Sequence, residues 1–309
     1  ALRAVLGGLA SRICRLNAPA LGNALYALQH CGDGPEVRAV LRALEPEIAQ
    51  CQQEMSSQNV SNALYGLQRC SDSPEARAIL AALALKMAEC SEAFSALSVS
   101  LAIYGLNRCK DGAELRSVLS SLTPKLQGCT EVFTSQNIGN ALYGMRSCAE
   151  SPEVRAVLRA LAPKVAECPT GLKEQEASNA VYGLRNCTDS PELRLMLAAL
   201  ADGVARRSEP FSAQGVVNAL TGLQGCTDSP ELRMVLGALA PRIAGGRERL
   251  GARHATMALR SLRAFGDSPE LRAVQGALAP KLEAVGAAPT PAQVAQALLG
   301  LRGASPEAP

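Results

Sequence analysis

The chain has 309 residues, a hydrophobic content of 48% and a formal net charge of +3 at pH 7. Aromatic residues make up only 3% and tryptophan is absent, so the core must be built from alanine, leucine and valine. Such small aliphatic residues favour close helix packing over a sandwich or barrel. The mild positive charge permits a polyanionic partner without requiring one, and the uncharged stretches are too polar and too helical in pattern to span a membrane.

A repeat of 39 residues runs through the chain. One motif reads NALYGL at residues 62–67, and a second reads PEVRAVL at residues 152–158. Apolar residues at i, i+3, i+4 and i+7 predict two amphipathic helices per repeat, here called helix A and helix B. One such pair cannot bury its own apolar stripe, so the repeats must stack. We predict an all-α fold, an α-solenoid superhelix of 39-residue helix-turn-helix repeats that forms a single array over residues 1–309, with about seven full repeats and partial repeats at 1–17 and 303–309.

Helix A is expected to begin after a serine or threonine that caps its first turn. The predicted N-caps are Ser56, Ser95, Thr134, Ser212 and Thr290, and Pro291 is predicted at the first helical position of the last unit. Small residues at the Ser61 and Gly66 positions are expected to let neighbouring helices A approach closely. Asn62 and Tyr65 recur with little change, which favours a structural ladder over a binding role.

Helix B is expected to open with Ser-Pro-Glu, as at Ser73, Pro74 and Glu75, which supplies a cap and a helix-compatible first residue. A recurrent interior proline should bend or split the helix. It occurs at Pro46, Pro124, Pro163, Pro241 and Pro280.

Two basic columns also recur on helix B. The first column consists of arginines, and we favour ion pairs with a glutamate of the adjacent repeat over phosphate binding as their role. Its members are Arg38, Arg77, Arg116, Arg155, Arg194, Arg233 and Arg272. The second column is expected to serve solubility: Lys86, Lys125, Lys164, Arg242 and Lys281.

Ten of the eleven cysteines form two ladders, one at the end of helix A and one at the end of helix B. Equivalent residues of stacked helices lie about 10 Å apart, which exceeds the Cα separation of about 7 Å that a disulfide tolerates. The thiols are therefore predicted to be buried in a reducing compartment. No C-x-x-C spacing points to a metal site.

No constellation typical of an enzyme is visible. The chain has only His30 and His254 as histidines, and neither belongs to a nucleophile, zinc or general-base pattern. Phosphate-binding and dinucleotide-binding glycine motifs are absent from the sequence. We therefore expect a non-catalytic protein without a cofactor, a metal or a small-molecule substrate.

The end of helix A varies from repeat to repeat, as expected for residues that read a partner. Side chains in these positions suit hydrogen bonds to bases or contacts with phosphates. The alternative is that they are merely solvated, with arginine favoured by the helix dipole. The candidate residues are Gln29, His30, Gln68, Arg69, Asn107, Arg108, Arg146, Arg185, Asn186, Gln224, Arg263 and Arg302.

The repeat resembles a known class. Units of 38–39 residues in which an S-x-Q-x-V-x-N-A-L-Y-G-L helix precedes a second leucine-rich helix are similar to octotricopeptide repeats and to the heptatricopeptide arrays found with RAP domains. The best matches lie at Ser56–Cys70, Thr134–Cys148 and Ser212–Cys226. The resemblance implies an organellar protein, in the chloroplast stroma or mitochondrial matrix, that binds RNA through helix A.

Two functions remain open at this point. The first is an RNA-binding solenoid that acts on single-stranded RNA in maturation, stability or translation. The second is a scaffold or accessory subunit of a large organellar assembly, such as a ribosome or a photosynthetic or respiratory complex. The variable columns favour RNA, whereas the low aromatic content and modest charge favour the scaffold.

Overall fold

A computed structural model describes residue 8 and residues 10–282. This part of the chain forms fourteen α-helices and contains no β-strand, which confirms the predicted all-α fold. The short helices A are α1 Ala18–Ala27, α3 Ser57–Gly66, α5 Ala96–Gly105, α7 Ser135–Gly144, α9 Glu174–Gly183, α11 Ala213–Gly222 and α13 Ala252–Leu262. The longer helices B are α2 Pro35–Gln50, α4 Pro74–Glu89, α6 Ala113–Gly128, α8 Pro152–Ala166, α10 Pro191–Ala205, α12 Pro230–Ala244 and α14 Pro269–Leu282.

The chain divides into two compact units. The first unit comprises Ala1–Val132 and Ser147–Ala160, and the second comprises Phe133–Arg146 and Leu161–Pro309. The first therefore holds α1–α6 and the start of α8, and the second holds α7, the end of α8 and α9–α14. The predicted partial repeat at 303–309 lies outside the described residues, as do residues 1–7 and 9 of the partial repeat predicted at 1–17.

Like helices pack against like helices in both units. In the first unit α1 packs on α3 and α3 on α5, while α2 packs on α4 and α4 on α6. In the second unit α7 packs on α9, α9 on α11 and α11 on α13, while α10 packs on α12 and α12 on α14. This serial arrangement is that of an α-solenoid, and each helix finds its apolar partner in the next repeat.

Side-chain caps start both kinds of helix. Ser56 accepts a hydrogen bond from the Asn59 amide, and the Asn59 side chain accepts one from the Ser56 amide. Ser73 caps α4, with Pro74 at the first helical position. The predicted caps Ser56, Ser95, Thr134 and Ser212 are all confirmed. Thr290 and Pro291 lie outside the described residues.

The interior prolines do not split helix B, contrary to one of the two expected outcomes. Helix α2 contains Pro46 and has 16 residues. Helix α4 carries Leu85 in the same column and also has 16 residues. The proline stands close to the end of the helix, where the loss of one backbone donor does not end the hydrogen-bonded run.

Glycines of helix A bring the helices of one layer into close contact, as predicted. A Cβ atom on Gly66 would lie 2.0 Å from the Leu25 carbonyl oxygen. A Cβ atom on Gly183 would lie 1.9 Å from the Leu142 carbonyl oxygen. Ser61 is 1% exposed, so its column also lies in the contact between helices A.

The second basic column of helix B is buried or partly buried, so the solubility interpretation was wrong. Lys86 is 9% exposed, and its ammonium donates to the Cys51 carbonyl at 3.0 Å. Arg242 is 2% exposed, and its guanidinium lies 4.6 Å from the centre of the Phe211 ring. Arg242 also donates to the backbone carbonyls of Glu209, Leu172 and Val204. These cations satisfy carbonyl groups that earlier repeats leave without a helical partner.

Candidate functional site

The variable residues at the end of helix A lie on a short turn. After α1, α3 and α7 the chain continues as a 3₁₀ turn over Leu28–His30, Leu67–Arg69 and Met145–Ser147. The first residue of each turn is buried, and the other two lie closer to the surface. We call the three residues that follow helix A in each repeat the A turn, and its second and third residues form the variable pair.

In the first unit the third residue of each A turn is basic and exposed. His30, Arg69 and Arg108 are exposed, and none of them makes a hydrogen bond or ion pair with another residue in the described part of the chain. Gln29 and Gln68 are partly exposed beside them. These five candidates are therefore accessible to a partner.

Asn107 is an exception among the candidates. Its side chain is only 4% exposed, and its amide donates to the Tyr104 carbonyl at 2.6 Å. The predicted partner contact is not supported for this residue, because the amide folds back onto its own helix. Its neighbour Ser147 donates to the Asn107 carbonyl at 2.7 Å, which occupies the backbone as well.

In the second unit two candidate arginines lie over tyrosine rings. The Arg146 guanidinium is 4.2 Å from the centre of the Tyr143 ring, and the Arg185 guanidinium is 4.8 Å from that of Tyr182. Arg185 Nε donates to the Arg146 carbonyl at 2.9 Å, and Arg185 Nη1 donates to the Tyr182 hydroxyl. The Asn186 amide donates to the same Arg146 carbonyl at 2.9 Å. Both arginines remain partly exposed, and Asn186 is exposed.

The last candidates differ in their surroundings. Gln224 is exposed, and its amide donates to the Ser261 hydroxyl of the next helix A at 2.6 Å. Arg263 is exposed. Arg302 lies outside the described residues.

The recurrent tyrosines form a ladder of stacked rings, which supports their structural interpretation. Ring centres are 5.8 Å apart between Tyr26 and Tyr65, and 5.7 Å apart between Tyr65 and Tyr104. In the second unit Tyr143 and Tyr182 are 6.1 Å apart. The close approach at the glycines of helix A keeps these rings within stacking distance of each other.

The arginine column of helix B forms ion pairs mainly within its own repeat, and the predicted pair with a glutamate of the adjacent repeat is present at Arg77. Each arginine binds the acidic residue five positions before it, in the loop that leads into helix B. For example, Arg77 pairs with Asp72 at 2.8 Å and reaches Glu114 of the next repeat only at 3.7 Å. The pairs are Arg38–Asp33, Arg77–Asp72, Arg116–Asp111, Arg155–Glu150, Arg194–Asp189, Arg233–Asp228 and Arg272–Asp267. The constant acidic residue before Ser-Pro-Glu was the sequence signal for this contact.

These ion pairs engage the acidic residues that follow the A turns along the chain. Asp72 and Asp111 are the acidic residues nearest to Arg69 and Arg108 along the chain, and each is held by its own helix B arginine. These two aspartates thus pair with helix B and not with Arg69 or Arg108. Helices A and their turns contain no carboxylate in any described repeat except α9, which carries Glu174 and Glu176 at its start.

Carboxylates instead collect at the opposite end of helix A, a feature that sequence reasoning missed. Glu92 accepts from the Ser57 amide at 2.9 Å, and Glu131 accepts from the Ala96 amide at 2.8 Å. Each of these glutamates belongs to the repeat after the helix that it caps. Helix A therefore runs from an acidic end to a basic end, an arrangement that also complements its dipole.

The cysteine ladders are buried, as predicted. Nine thiols are at most 9% exposed, Cys31 is partly exposed and Cys14 is exposed. Burial raises the pKa of Cys70, Cys109 and Cys226 to about 12 in each case. These thiols are therefore protonated at neutral pH and are poor nucleophiles.

Comparison with known proteins leaves the family open. No protein-family model matches the chain, and no curated protein sequence matches it significantly. No described helix combines the length and apolar character needed to cross a membrane. Among residues 10–282, no three His, Cys, Asp or Glu side chains cluster closely enough to hold a metal ion.

Proposed function

We propose that this protein binds single-stranded RNA along the A turns of its repeats and acts without catalysis in RNA maturation, stability or translation. The observation that carries the proposal is that Arg69 and Arg108 of the A turns are exposed and make no hydrogen bond or ion pair within the described part of the chain. Exposed cations attract a phosphate backbone. The resemblance to octotricopeptide repeats supports the same function and suggests the chloroplast stroma or mitochondrial matrix as its compartment.

The repeated geometry suits an extended polyanion rather than a compact ligand. In the first unit an exposed basic residue recurs once per A turn, at His30, Arg69 and Arg108. An extended RNA strand that runs along the array can contact one of these residues in each repeat. The acidic ends of helices A, at Glu92 and Glu131, would repel phosphates and so favour the basic edge.

The tyrosine ladder limits how bases are bound. Insertion of a base between two rings would have to move them beyond the ring-centre separation of about 4.5–7 Å at which aromatic pairs pack. The observed ring centres are only 5.7 Å apart between Tyr65 and Tyr104. The rings thus stack on each other, and RNA must contact the A turns without opening the ladder.

The test is RNA binding measured by fluorescence anisotropy over a salt series, with a mixed-sequence single-stranded RNA. Each phosphate contact contributes about −0.7 to the slope of log K against log salt concentration. We expect the double variant Arg69→Gln, Arg108→Gln to bind more weakly and to reduce the magnitude of the slope by about 1.4, because both side chains are exposed and make no internal polar contact.

The matched control removes the same charge elsewhere. Arg42→Gln and Arg249→Gln also replace two exposed arginines, one on helix B and one in the loop before α13. We expect this control to keep the wild-type slope. An absence of RNA binding by the wild type at low salt, or equal losses in the two double variants, would refute the proposal.

One observation favours the scaffold as a second candidate. Leu195 is 50% exposed and Met234 is 53% exposed on α10 and α12, which pack directly against each other. Two neighbouring exposed apolar side chains suit a protein contact. If the scaffold is the function, Leu195→Glu with Met234→Glu will release the protein from a large assembly in native size fractionation of organelle extracts, whereas the A-turn variants will not.

A further inference from the structure

We infer that Arg146 and Arg185 are stacking platforms for nucleobases, each consisting of a guanidinium plane supported from below by a tyrosine ring. This inference rests on the proposed RNA binding and assigns a particular contact within it. It distinguishes two repeats from the others. The base would lie on the outer face of the guanidinium, and the tyrosine would lie on the inner face.

The geometry holds the guanidinium planes in place. Arg146 lies 4.2 Å and Arg185 lies 4.8 Å from the centres of the rings of Tyr143 and Tyr182, within the range of cation–π contacts. For Arg185, Nε donates to the Arg146 carbonyl and Nη1 donates to the Tyr182 hydroxyl. These edge contacts fix the rotation of the plane. A plane that is fixed before binding loses less conformational entropy when a ligand stacks on it.

The remaining chemistry of these side chains favours stacking. Two nitrogens of the Arg185 guanidinium already donate within the protein, and the residue remains partly exposed. Guanidinium planes stack on nucleobases in single-stranded RNA complexes. The tyrosine rings are less available, because their centres lie only 6.1 Å apart and an arginine lies over each ring.

A sequence signature separates the platforms from the other A turns. The second residue of the A turn stands three positions after the ladder tyrosine, and there it lies over the ring. It is arginine after Tyr143 and Tyr182, but glutamine after Tyr26 and Tyr65. In the first unit the arginine comes one position later, as in Arg69, where it is exposed.

Replacement of arginine by lysine separates stacking from charge, because lysine keeps the cation but has no plane. The probe is a single-stranded RNA that carries 2-aminopurine, whose fluorescence falls when it stacks. For the variant Arg146→Lys, Arg185→Lys we expect about a hundredfold weaker binding, about tenfold for each of the two stacked bases, together with an unchanged salt slope and loss of the fluorescence quench. The control Arg42→Lys, Arg249→Lys makes the same exchange at two exposed arginines outside the A turns and should match the wild type in affinity and quench.

A gain-of-function pair tests the same idea without removing a native contact. Gln68→Arg places an arginine three positions after Tyr65 and recreates the platform sequence in the first unit. We expect it to tighten binding severalfold and to deepen the quench, whereas Gln68→Lys should steepen the salt slope without deepening the quench.

The outcomes separate this inference from the proposed function. RNA binding by the wild type with the same affinity and quench in Arg146→Lys, Arg185→Lys would overturn the platforms and leave the proposed function intact. A wild type that does not bind RNA at low salt would overturn both. Circular dichroism and thermal unfolding of each variant verify that the fold is retained.

Discussion

Single glycines determine how closely helices A pack. A Cβ atom on Gly105 would lie 2.0 Å from the Leu64 carbonyl oxygen and 2.4 Å from its carbon, and backbone atoms cannot move away as a flexible side chain does. The sequence indicated that a small residue was needed here. The distance itself became visible only when the neighbouring repeat was in place.

We predict that Gly105→Ala lowers the free energy of unfolding by about 3 kcal/mol, the upper part of the range for overpacked contacts. The matched control is Gly128→Ala at the end of α6, where an added Cβ meets nothing within 4 Å. Because alanine is the better helix former, this control should be neutral or stabilising by a few tenths of a kcal/mol. Urea unfolding followed by circular dichroism compares the two, and equal stabilities would contradict the close approach.

Buried cations show where residue-scale reasoning failed. Long basic side chains are usually solvated, so Lys86 and Arg242 were assigned to the surface. Their partners are backbone carbonyls of earlier repeats, such as that of Cys51. The pattern of side chains in a sequence does not indicate where backbone carbonyl groups lie in the fold. Only the stacked structure shows that a cation is needed there.

At the scale of elements, the loop before helix B is joined to that helix by the acid–arginine pairs. Hydrogen bonds from Arg116 hold the pKa of Asp111 below its ordinary value. The corresponding arginine lowers the pKa in the same way at Asp33, Asp189, Asp228 and Asp267. A carboxyl with a lowered pKa in the folded state stabilises the fold above its unfolded-state pKa, which is about 3.9, and this stabilisation is lost as the pH falls through the folded-state value.

Because these aspartates stay ionised between pH 5 and 7, we predict that they cause no change of stability in that range. Below about pH 4 they become protonated, and we predict that Tm falls. The variant Asp111→Asn, Asp189→Asn removes two of the titrating groups. It should have a lower Tm at pH 7 and a shallower fall in acid. Thermal unfolding at a series of pH values measures both, and parallel curves for the wild type and the variant would show that the pairs are not responsible.

At the scale of the whole molecule, the buried thiols report on global opening. Nine cysteines are buried along both units, whereas Cys14 is exposed. We predict that a thiol reagent labels Cys14 at once and Cys31 more slowly. The buried thiols should react about three orders of magnitude more slowly than Cys14, because only the small unfolded fraction presents them.

Mass spectrometry of the labelled protein over time provides the measurement. Denaturant should bring all eleven thiols to the rate of Cys14. The variant Cys14→Ser should lose the fast phase and keep the slow one. Rapid labelling of Cys70 or Cys109 under native conditions would contradict their burial.

The sequence by itself determined the period, the two helices of each repeat, their caps and the burial of the thiols. All of these follow from local periodicity and from residues that act within their own helix, such as Ser56 on the Asn59 amide. The tertiary structure decided which side chains of the variable columns are available. Asn107 is buried against its own helix, Arg146 and Arg185 lie over tyrosine rings, and Arg69 is exposed to solvent. These outcomes depend on contacts with atoms one repeat away or on the course of the A turn, and a one-dimensional pattern gives neither distance nor direction for them.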